Sequence, residues 1–342
     1  MKKSKLIIDL DNTITVDVKG LDYHIKPVNP RVKESINALG NKFDITIFTA
    51  RNMKSYDGDL DKIHKFTKPI ALKWLEENQI QFDDIIFGKP YCGEEGHYID
   101  DKNISVEEFI FKFSGPFKNV AIDVVVPFYN EKGNIFEMYR DLKKLERLFN
   151  IRKYLFVNNG STDGSDKLFE ELVGIEPKID LIHVAENKGY GNGIKEAMRR
   201  STADYILLNH SDRQFEAYSY FLTHLEAIHK LEHPSTIFPL RKSRPFTDAL
   251  FSFLLRLSLM ITTFRSMKDF NGQPKLIERK LIQDVDKLPN DYTLDLMIYR
   301  IVKPRYFFPI IEKPRDQGVS SWNKNIFGKL KVFLTYISTS LK

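Results

Sequence analysis

Asp9 and Asp11 stand one residue apart in Asp9-Leu10-Asp11-Asn12-Thr13, where the apolar run Leu6–Leu10 gives out. Open parallel sheets bind ligands at the carboxyl ends of their strands, and a pair placed there can face one crevice. One carboxylate can then attack phosphorus while the other handles the leaving-group proton. Their mutual repulsion calls for a cation between them, and hard oxygen donors select Mg²⁺. Three later segments end short apolar runs in the same way. Thr49 offers a hydroxyl to a phosphoryl oxygen, Lys89 a positive charge, and Asp100 and Asp101 further oxygen ligands for the metal. Together they form a set suited to phosphoryl transfer.

A second series begins at Val124-Val125-Val126-Pro127-Phe128-Tyr129-Asn130-Glu131 and repeats at Val157-Asn158-Asn159-Gly160-Ser161-Thr162-Asp163-Gly164. Glycines let backbone approach a ligand, and polar side chains can hydrogen-bond a base and ribose. Glu186-Asn187-Lys188-Gly189-Tyr190-Gly191 precedes a helical pattern, a natural place for a diphosphate. The next apolar run ends in Asn209-His210-Ser211-Asp212, where a carboxylate can hold a divalent ion against a nucleotide diphosphate.

These residues need strand ends to hold them, and the pattern supplies two alternations of strand and helix. The first has strands at 5–10, 43–48, 84–87 and 97–99, with helices from Pro30, over 60–78 and over 106–113. Ser114-Gly115-Pro116 breaks it. The second has strands at 121–126, 154–157, 179–184 and 205–208, with helices over 132–148, 166–172 and 191–200. Such alternation implies an α/β class with parallel sheets, here in two domains, 1–113 and 121–342, joined by a linker at 114–120. The short spacing of the motifs leaves no room for a large cap domain, and the segment 15–29 is a candidate small flap over the first site.

The order Asp-x-Asp-x-Thr, Thr, Lys, Asp-Asp over residues 4–113 resembles the haloacid dehalogenase superfamily, and Phe48–Tyr56, Gly88–Gly93 and Tyr98–Asp101 are similar to its small capsule-biosynthesis phosphatases. That resemblance implies a Rossmannoid sheet, Asp9 as nucleophile and Asp11 as general acid/base. It also implies Thr49 and Lys89 on phosphate, with Mg²⁺ anchored by Asp9, Asp11, Asp100 and Asp101 directly or through water.

Residues 120–322 resemble a family 2 glycosyltransferase of the GT-A fold. The segments Asp269–Lys275, Asp291–Arg300 and Arg315–Trp322 are similar to its dolichyl-phosphate mannose synthase branch. The resemblance implies a nucleoside pocket of Pro127, Tyr129, Glu131, Asn159 and Asp163. Gln273 with Arg315 would face the sugar-diphosphate or acceptor phosphate, with Mg²⁺ or Mn²⁺ on Asp212; Lys188, in the turn before the helical pattern, is a further substrate-binding candidate. Two departures stand out. An acidic residue is usual where Asn158 or Asn159 sits, and the Asp-x-Asp motif reads His210-Ser211-Asp212. Histidine can ligate Mn²⁺, or His210 can simply cap the strand. For a hydroxyl acceptor Asp295 is the first candidate base and Asp291 the second; a phosphate acceptor needs none.

The expected protein is a bifunctional phosphatase and nucleotide-sugar transferase of surface-polysaccharide assembly. Its partners would be a nucleotide-sugar donor, a phosphorylated sugar or polyol, and a carbohydrate, polyol or lipid-phosphate acceptor. A polyprenyl-phosphate transferase with an accessory phosphatase, or an inactive nucleotide-sugar scaffold, are the alternatives. Net charge is 52 − 46 = +6, which suits phosphorylated substrates or an anionic membrane surface. No basic block is interleaved with aromatics, so nucleic acid is not expected. The single cysteine, Cys92, and the acid-interrupted N-terminal run point to the cytoplasm. Apolar residues recur at spacings of three and four over 326–342. That face and the stretch 249–264 either lie on the inner face of the cell membrane or pack on the core or a second subunit of a homo-oligomer.

Overall fold

The computed structural model describes residues 3–16, 18, 21–93, 97–98, 102–184, 186–242, 246–313 and 326–341. It divides into two compact units, Met1–Lys118 and Asn119–Lys342.

The first unit is built on a parallel sheet in the order β1-β2-β3, formed by β1 (Ser4–Ile8), β2 (Phe43–Thr49) and β3 (Asp84–Phe87). Between β1 and β2 lies α1 (Pro30–Leu39), started by the Asn29 side chain and a proline in its first turn, where the missing N–H costs nothing. α2 (Leu60–Lys62) runs through a wider turn into α3 (Lys68–Glu77). α4 (Val106–Ser114) begins with a reciprocal cap in which Ser105 and Glu108 each accept the other's amide, at 3.1 and 2.7 Å. Its apolar face joins α1 and the sheet around Ile36, Ile47, Leu75 and Phe109. The strand expected at 97–99 is not found in the described part: His97 and Tyr98 are irregular.

The second unit holds a seven-stranded sheet in the order β10-β8-β9-β7-β4-β5-β6. Its elements in chain order are β4 (Ala121–Phe128), α5 (Ile135–Lys144), β5 (Asn150–Asn158), α6 (Ser165–Ile175), β6 (Ile179–His183), α7 (Tyr190–Arg200) and β7 (Tyr205–Leu208). Then come α8 (Ala217–Thr223), α9 (Leu225–His229), β8 (Thr236–Lys242), α10 (Phe246–Thr263), β9 (Lys275–Glu278), α11 (Leu294–Ile301), β10 (Arg305–Ile311) and α12 (Ile326–Ser340). β9 alone runs antiparallel, between β7 and β8. β4 is central and buried on both faces, so it reads as a continuous apolar run. Its one charged residue, Asp123, is neutralised by Arg152 at 2.9 Å and accepts a hydrogen bond from the Ser201 hydroxyl at 2.7 Å.

The helix expected from Lys132 starts at Ile135, because Asp163 and Ser165 hold the amides of Lys132 and Glu131 in a loop. β5 begins earlier than its apolar stretch, since Arg152 and Lys153 pair with Asp123 and Asp180.

Candidate functional site

In the first unit the register sets Ile8 beside Ile47 and Thr49 beside Phe87, so Asp9, Thr49–Arg51 and Lys89 leave the sheet at one edge. Lys89 Nζ lies 3.0 Å from Asp9 Oδ1 and 4.1 Å from the Tyr98 ring centre. Burial raises the Asp9 pKa, against the lowering effect of Lys89. Asp11 accepts two bonds from the Arg51 guanidinium, at 3.1 and 2.8 Å, with Lys26 Nζ at 3.9 Å. Arg51 is itself out of solvent and lies 4.5 Å from the Tyr23 ring centre.

Loop 15–29 closes through the bridge between Thr15 and Val28 and a Val16 to Pro27 bond of 2.8 Å. Trp74 holds the Lys26 carbonyl at 2.9 Å, which keeps Tyr23 and Lys26 against Arg51 and Asp11.

Thr49 differs from the expectation. It is fully buried, and its hydroxyl oxygen accepts the Arg51 amide at 3.1 Å, shaping the turn rather than opening onto a ligand. Arg51 is the residue that sequence reasoning missed. Its position two residues after Thr49, at the end of an apolar strand, was the available signal. Asp100 and Asp101 lie outside the described residues. Among the described residues no group of three His, Cys, Asp or Glu is close enough to hold a metal. Asp9 and Asp11 supply hard oxygen donors of the kind Mg²⁺ takes.

In the second unit the turns after β4 and β5 are knitted together. Asn130 N–H donates to Ser161 Oγ at 3.1 Å, and Thr162 N–H donates back to Asn130 Oδ1 at 2.8 Å. Asp163 accepts the amides of Lys132 and Ser165, each at 3.0 Å. Burial would raise the Asp163 pKa, but these bonds and the Ser165 hydroxyl hold it below the usual carboxylate value. Pro127 is tied through its carbonyl to Ser211 Oγ at 3.3 Å, Tyr129 is half exposed, and Glu131 accepts from Asn134 at 2.6 Å. Asn159 is buried, with an Oδ1 that finds no partner among the described residues.

The glycine-rich turn before α7 serves a different purpose from the one expected. Gly189 has φ +108°, and a Cβ there would lie 2.6 Å from the Asn290 carbonyl oxygen. A Cβ on Gly191 would meet the Asp291 carbonyl at 2.6 Å, and one on Gly193 the Asn159 side chain at 2.5 Å. Asn192 N–H donates to the Asn290 carbonyl at 2.9 Å, and Lys195 Nζ holds the Leu288 carbonyl at 2.7 Å. Gly189 and Gly191 therefore admit the segment 286–291, which takes a first-turn amide that a diphosphate would need. Lys188 remains exposed beside that turn.

β7 ends in Asn209, His210, Ser211 and Asp212. Asp212 is buried, accepts the Gln214 amide at 3.3 Å, and has Oδ2 4.0 Å from His210 Nδ1. An imidazole nitrogen and a carboxylate oxygen are the donor types a borderline divalent ion takes, and at 4.0 Å they stand wider than the ~2.8–3.6 Å between neighbouring donors on bonds of ~2.0–2.2 Å. His210 Nε2 meets the Tyr190 hydroxyl at 3.0 Å, and burial pushes that phenol well above its ordinary pKa.

Behind Tyr190 the interior is polar. Its hydroxyl lies 3.5 Å from Asp295 Oδ2, and Asp295 Oδ1 lies 2.7 Å from Lys275 Nζ. Gln273, expected to face a ligand, is fully buried. Its amide NH₂ donates to the Leu208 carbonyl at 2.7 Å, and its oxygen accepts from Tyr190 at 3.3 Å and Lys275 at 3.0 Å. Asp295, the first candidate base, is buried and paired with a lysine. Asp291, the second, accepts Thr293 N at 2.8 Å and Thr293 Oγ1 at 2.6 Å just before α11. Arg315 lies outside the described residues. Tyr190 and Lys275 were missed, since nothing in a sequence tells a buried Lys in an apolar strand from an exposed one.

The second unit is thus an α/β unit with polar turns at the ends of β4, β5 and β7. Residues 123–286 match the family model described as Glycosyl transferase family 2, so the second unit carries a family 2 glycosyltransferase domain. The dolichyl-phosphate beta-glucosyltransferase of Dictyostelium discoideum is 27% identical over 149 residues, 41% of this chain and 45% of that protein. An uncharacterized glycosyltransferase of Bacillus subtilis is 31% identical over 28% of this chain and 30% of its own length. The chain thus spans less than half the length of both curated relatives. A Vibrio cholerae structural-genomics crystal structure is 41% identical, covering 31% of this chain and 87% of that one, with a TM-score of 0.30. Glucosyl-3-phosphoglycerate synthase of Mycobacterium tuberculosis, solved with Mn²⁺, UDP-glucose and glycerol 3-phosphate, is 14% identical, covering 66% of this chain and 79% of that one, with a TM-score of 0.48.

Proposed function

We propose that this chain is a two-site enzyme of surface-polysaccharide assembly, transferring a sugar from a nucleotide-sugar in its second unit and releasing phosphate from a monoester in its first. The transferase half rests on the approach of His210 and Asp212 to 4.0 Å at the end of β7, inside the segment matched to family 2. The knitted β4 and β5 turns would seat base and ribose, with Tyr129 exposed enough to lie along the base. A divalent ion held by His210 and Asp212 would neutralise the diphosphate leaving group. Tyr190 fixes the His210 ring, and Asp295, Lys275 and Gln273 fix Tyr190. In this reading the buried row positions the histidine and does not abstract the acceptor proton.

A lipid-phosphate acceptor fits this geometry better than a hydroxyl one. Neither Asp295 nor Asp291 is free to act as a base, and a phosphate oxygen needs none. The name of the Dictyostelium relative favours the same acceptor class. The test is turnover of UDP- and GDP-sugars by the purified chain, with Mn²⁺ or Mg²⁺ and either polyprenyl phosphate or soluble sugar acceptors. Turnover with polyprenyl phosphate, lost in Asp212→Asn, is expected. Nucleotide binding without turnover on any acceptor would leave the scaffold reading in its place.

The phosphatase half rests on the Asp9–Lys89 pair beside the clamped Asp11. Asp9 would attack phosphorus, the bond to the leaving oxygen would break, and Asp11 would give that oxygen its proton. Water would then attack the phosphorus of the aspartyl phosphate and break its bond to Asp9, releasing phosphate while Asp11 takes a proton from that water. Mg²⁺ on the carboxylates would offset the charge of the phosphoryl group. Mg²⁺-dependent phosphate release from sugar or polyol phosphates, absent in Asp9→Asn, is the expected result. No release across such a panel would remove this half.

A further inference from the structure

α10 and α12 lie side by side, with Phe251 and Phe333 rings 6.3 Å apart and Thr262 and Ser340 hydroxyls at 3.2 Å. One face of the pair, with Leu255, Leu259, Val332 and Tyr336, belongs to the core. The other is exposed and apolar: Phe253, Leu257 and Ile261 on α10, Leu330 and Leu334 on α12, and Phe264 just beyond α10 at 92% exposure. A lone apolar residue on a surface means little, but a row on two packed helices needs a partner.

Charge indicates which partner. Residues 249–268 and 326–341 contain no Asp or Glu, yet carry Arg256, Arg265, Lys268, Lys329 and Lys331. Next to the end of α10, a cavity of about 600 Å³ is lined by Lys268, Lys303 and Arg305 together with Ser266, Tyr299 and Phe307. No carboxylate lines it. Lys268 Nζ lies 4.6 Å from the Phe307 ring centre and Arg305 3.7 Å from that of Tyr299. Lys268 and Arg305 thus lie against aromatic faces rather than counter-charges, and Arg305 also donates to the Tyr299 carbonyl. Among the described residues none of the three makes an ion pair, and neighbouring Asp269 is bound to Arg241 at 2.7 Å.

We propose that this face docks on an anionic bilayer, the apolar row entering the acyl boundary and the Lys268–Lys303–Arg305 cavity taking a phospholipid phosphate. Amphipathic helices bind membranes by this combination of buried apolar area and attraction to anionic lipid. The inference deepens the lipid-acceptor reading by giving the chain its membrane side, and it rests on surface residues outside both reaction sites.

The test is flotation of the full chain with phosphatidylcholine vesicles, with or without phosphatidylglycerol. Flotation with the anionic vesicles alone is expected. The pair Lys268→Glu, Lys303→Glu should weaken it roughly tenfold or more. Phe264→Asp with Ile261→Asp should do the same, with thermal melting and nucleotide-sugar turnover on detergent-solubilised polyprenyl phosphate unchanged. That turnover separates a failed surface from a failed transferase. No flotation, equal flotation on neutral vesicles, or wild-type flotation of the Lys268→Glu, Lys303→Glu chain would each overturn the proposal. So would full displacement by millimolar inorganic phosphate, which would mark the cavity as a small-anion site.

Discussion

Lys275 Nζ and Asp295 Oδ1 meet at 2.7 Å inside the second unit, the lysine side chain wholly out of solvent and the aspartate nearly so. β9 supplies the lysine and α11 the aspartate, so one ion pair ties the antiparallel strand to the helix behind Tyr190. Burial pulls the Lys275 pKa down, and Asp295 is the charge that opposes this.

Asp295→Asn should therefore act on stability first. Breaking a buried pair from one side costs about 3–5 kcal/mol, because the remaining charge is left uncompensated. Chemical denaturation should show a loss of that order, and the double change Lys275→Met, Asp295→Leu should recover most of it. An Asp295→Asn protein of wild-type stability that has lost only transfer would instead make Asp295 the base.

Arg51→Lys should keep the charge and lose the fork that grips both Asp11 oxygens. With Asp11 free to swing, phosphate release should fall by about 100-fold, as misplacement of a reacting group does. Nucleotide-sugar turnover by the same protein serves as the internal control. Unchanged phosphate release would show that the clamp has no part in the reaction.

Gly191→Ala places a methyl against the Asp291 carbonyl, where the ideal Cβ would be only 2.6 Å from the oxygen. Segment 286–291 must shift, and overpacking of this kind costs about 1–3 kcal/mol. Hydrogen exchange at Asn192, whose amide is held by Asn290, should rise in step. Wild-type protection there would mean the segment yields freely.

Asp163 gives a signed pH dependence. Its folded pKa lies below the ordinary carboxylate value, through hydrogen bonds with Ser165 and Lys132 that outweigh burial. Its contribution is thus fully present above the unfolded pKa of about 3.9 and fades as pH falls through the lower folded value. Asp163→Ala should cost about 1.5–3 kcal/mol at pH 7, typical of hydrogen bonds to a charged group. The gap to wild type should close in acid, and a gap independent of pH would contradict the assignment.

Sheet edges were the legible part of this chain. Asp84–Phe87 and Tyr205–Leu208 have the bounds that their apolar runs suggest. Sites at strand ends inherit that clarity, and Asp9, Lys89, His210 and Asp212 fall where local pattern puts them. β8, β9 and β10 went unread, because strand pairings between residues far apart leave no local period strong enough to place them.

The sequence by itself determined which residues leave the sheets at their carboxyl ends, since apolar runs and turn residues are local properties. Only the tertiary structure decided what each polar group faces. It turned Thr49 inward to the Arg51 amide, closed the start of α7 with residues 286–291, and drew Gln273, Lys275 and Asp295 into one buried network. Such partners are set by packing between segments up to about a hundred residues apart, as from Tyr190 to Asp295. A buried polar side chain must find a partner in the folded interior, and the fold decides which one it meets.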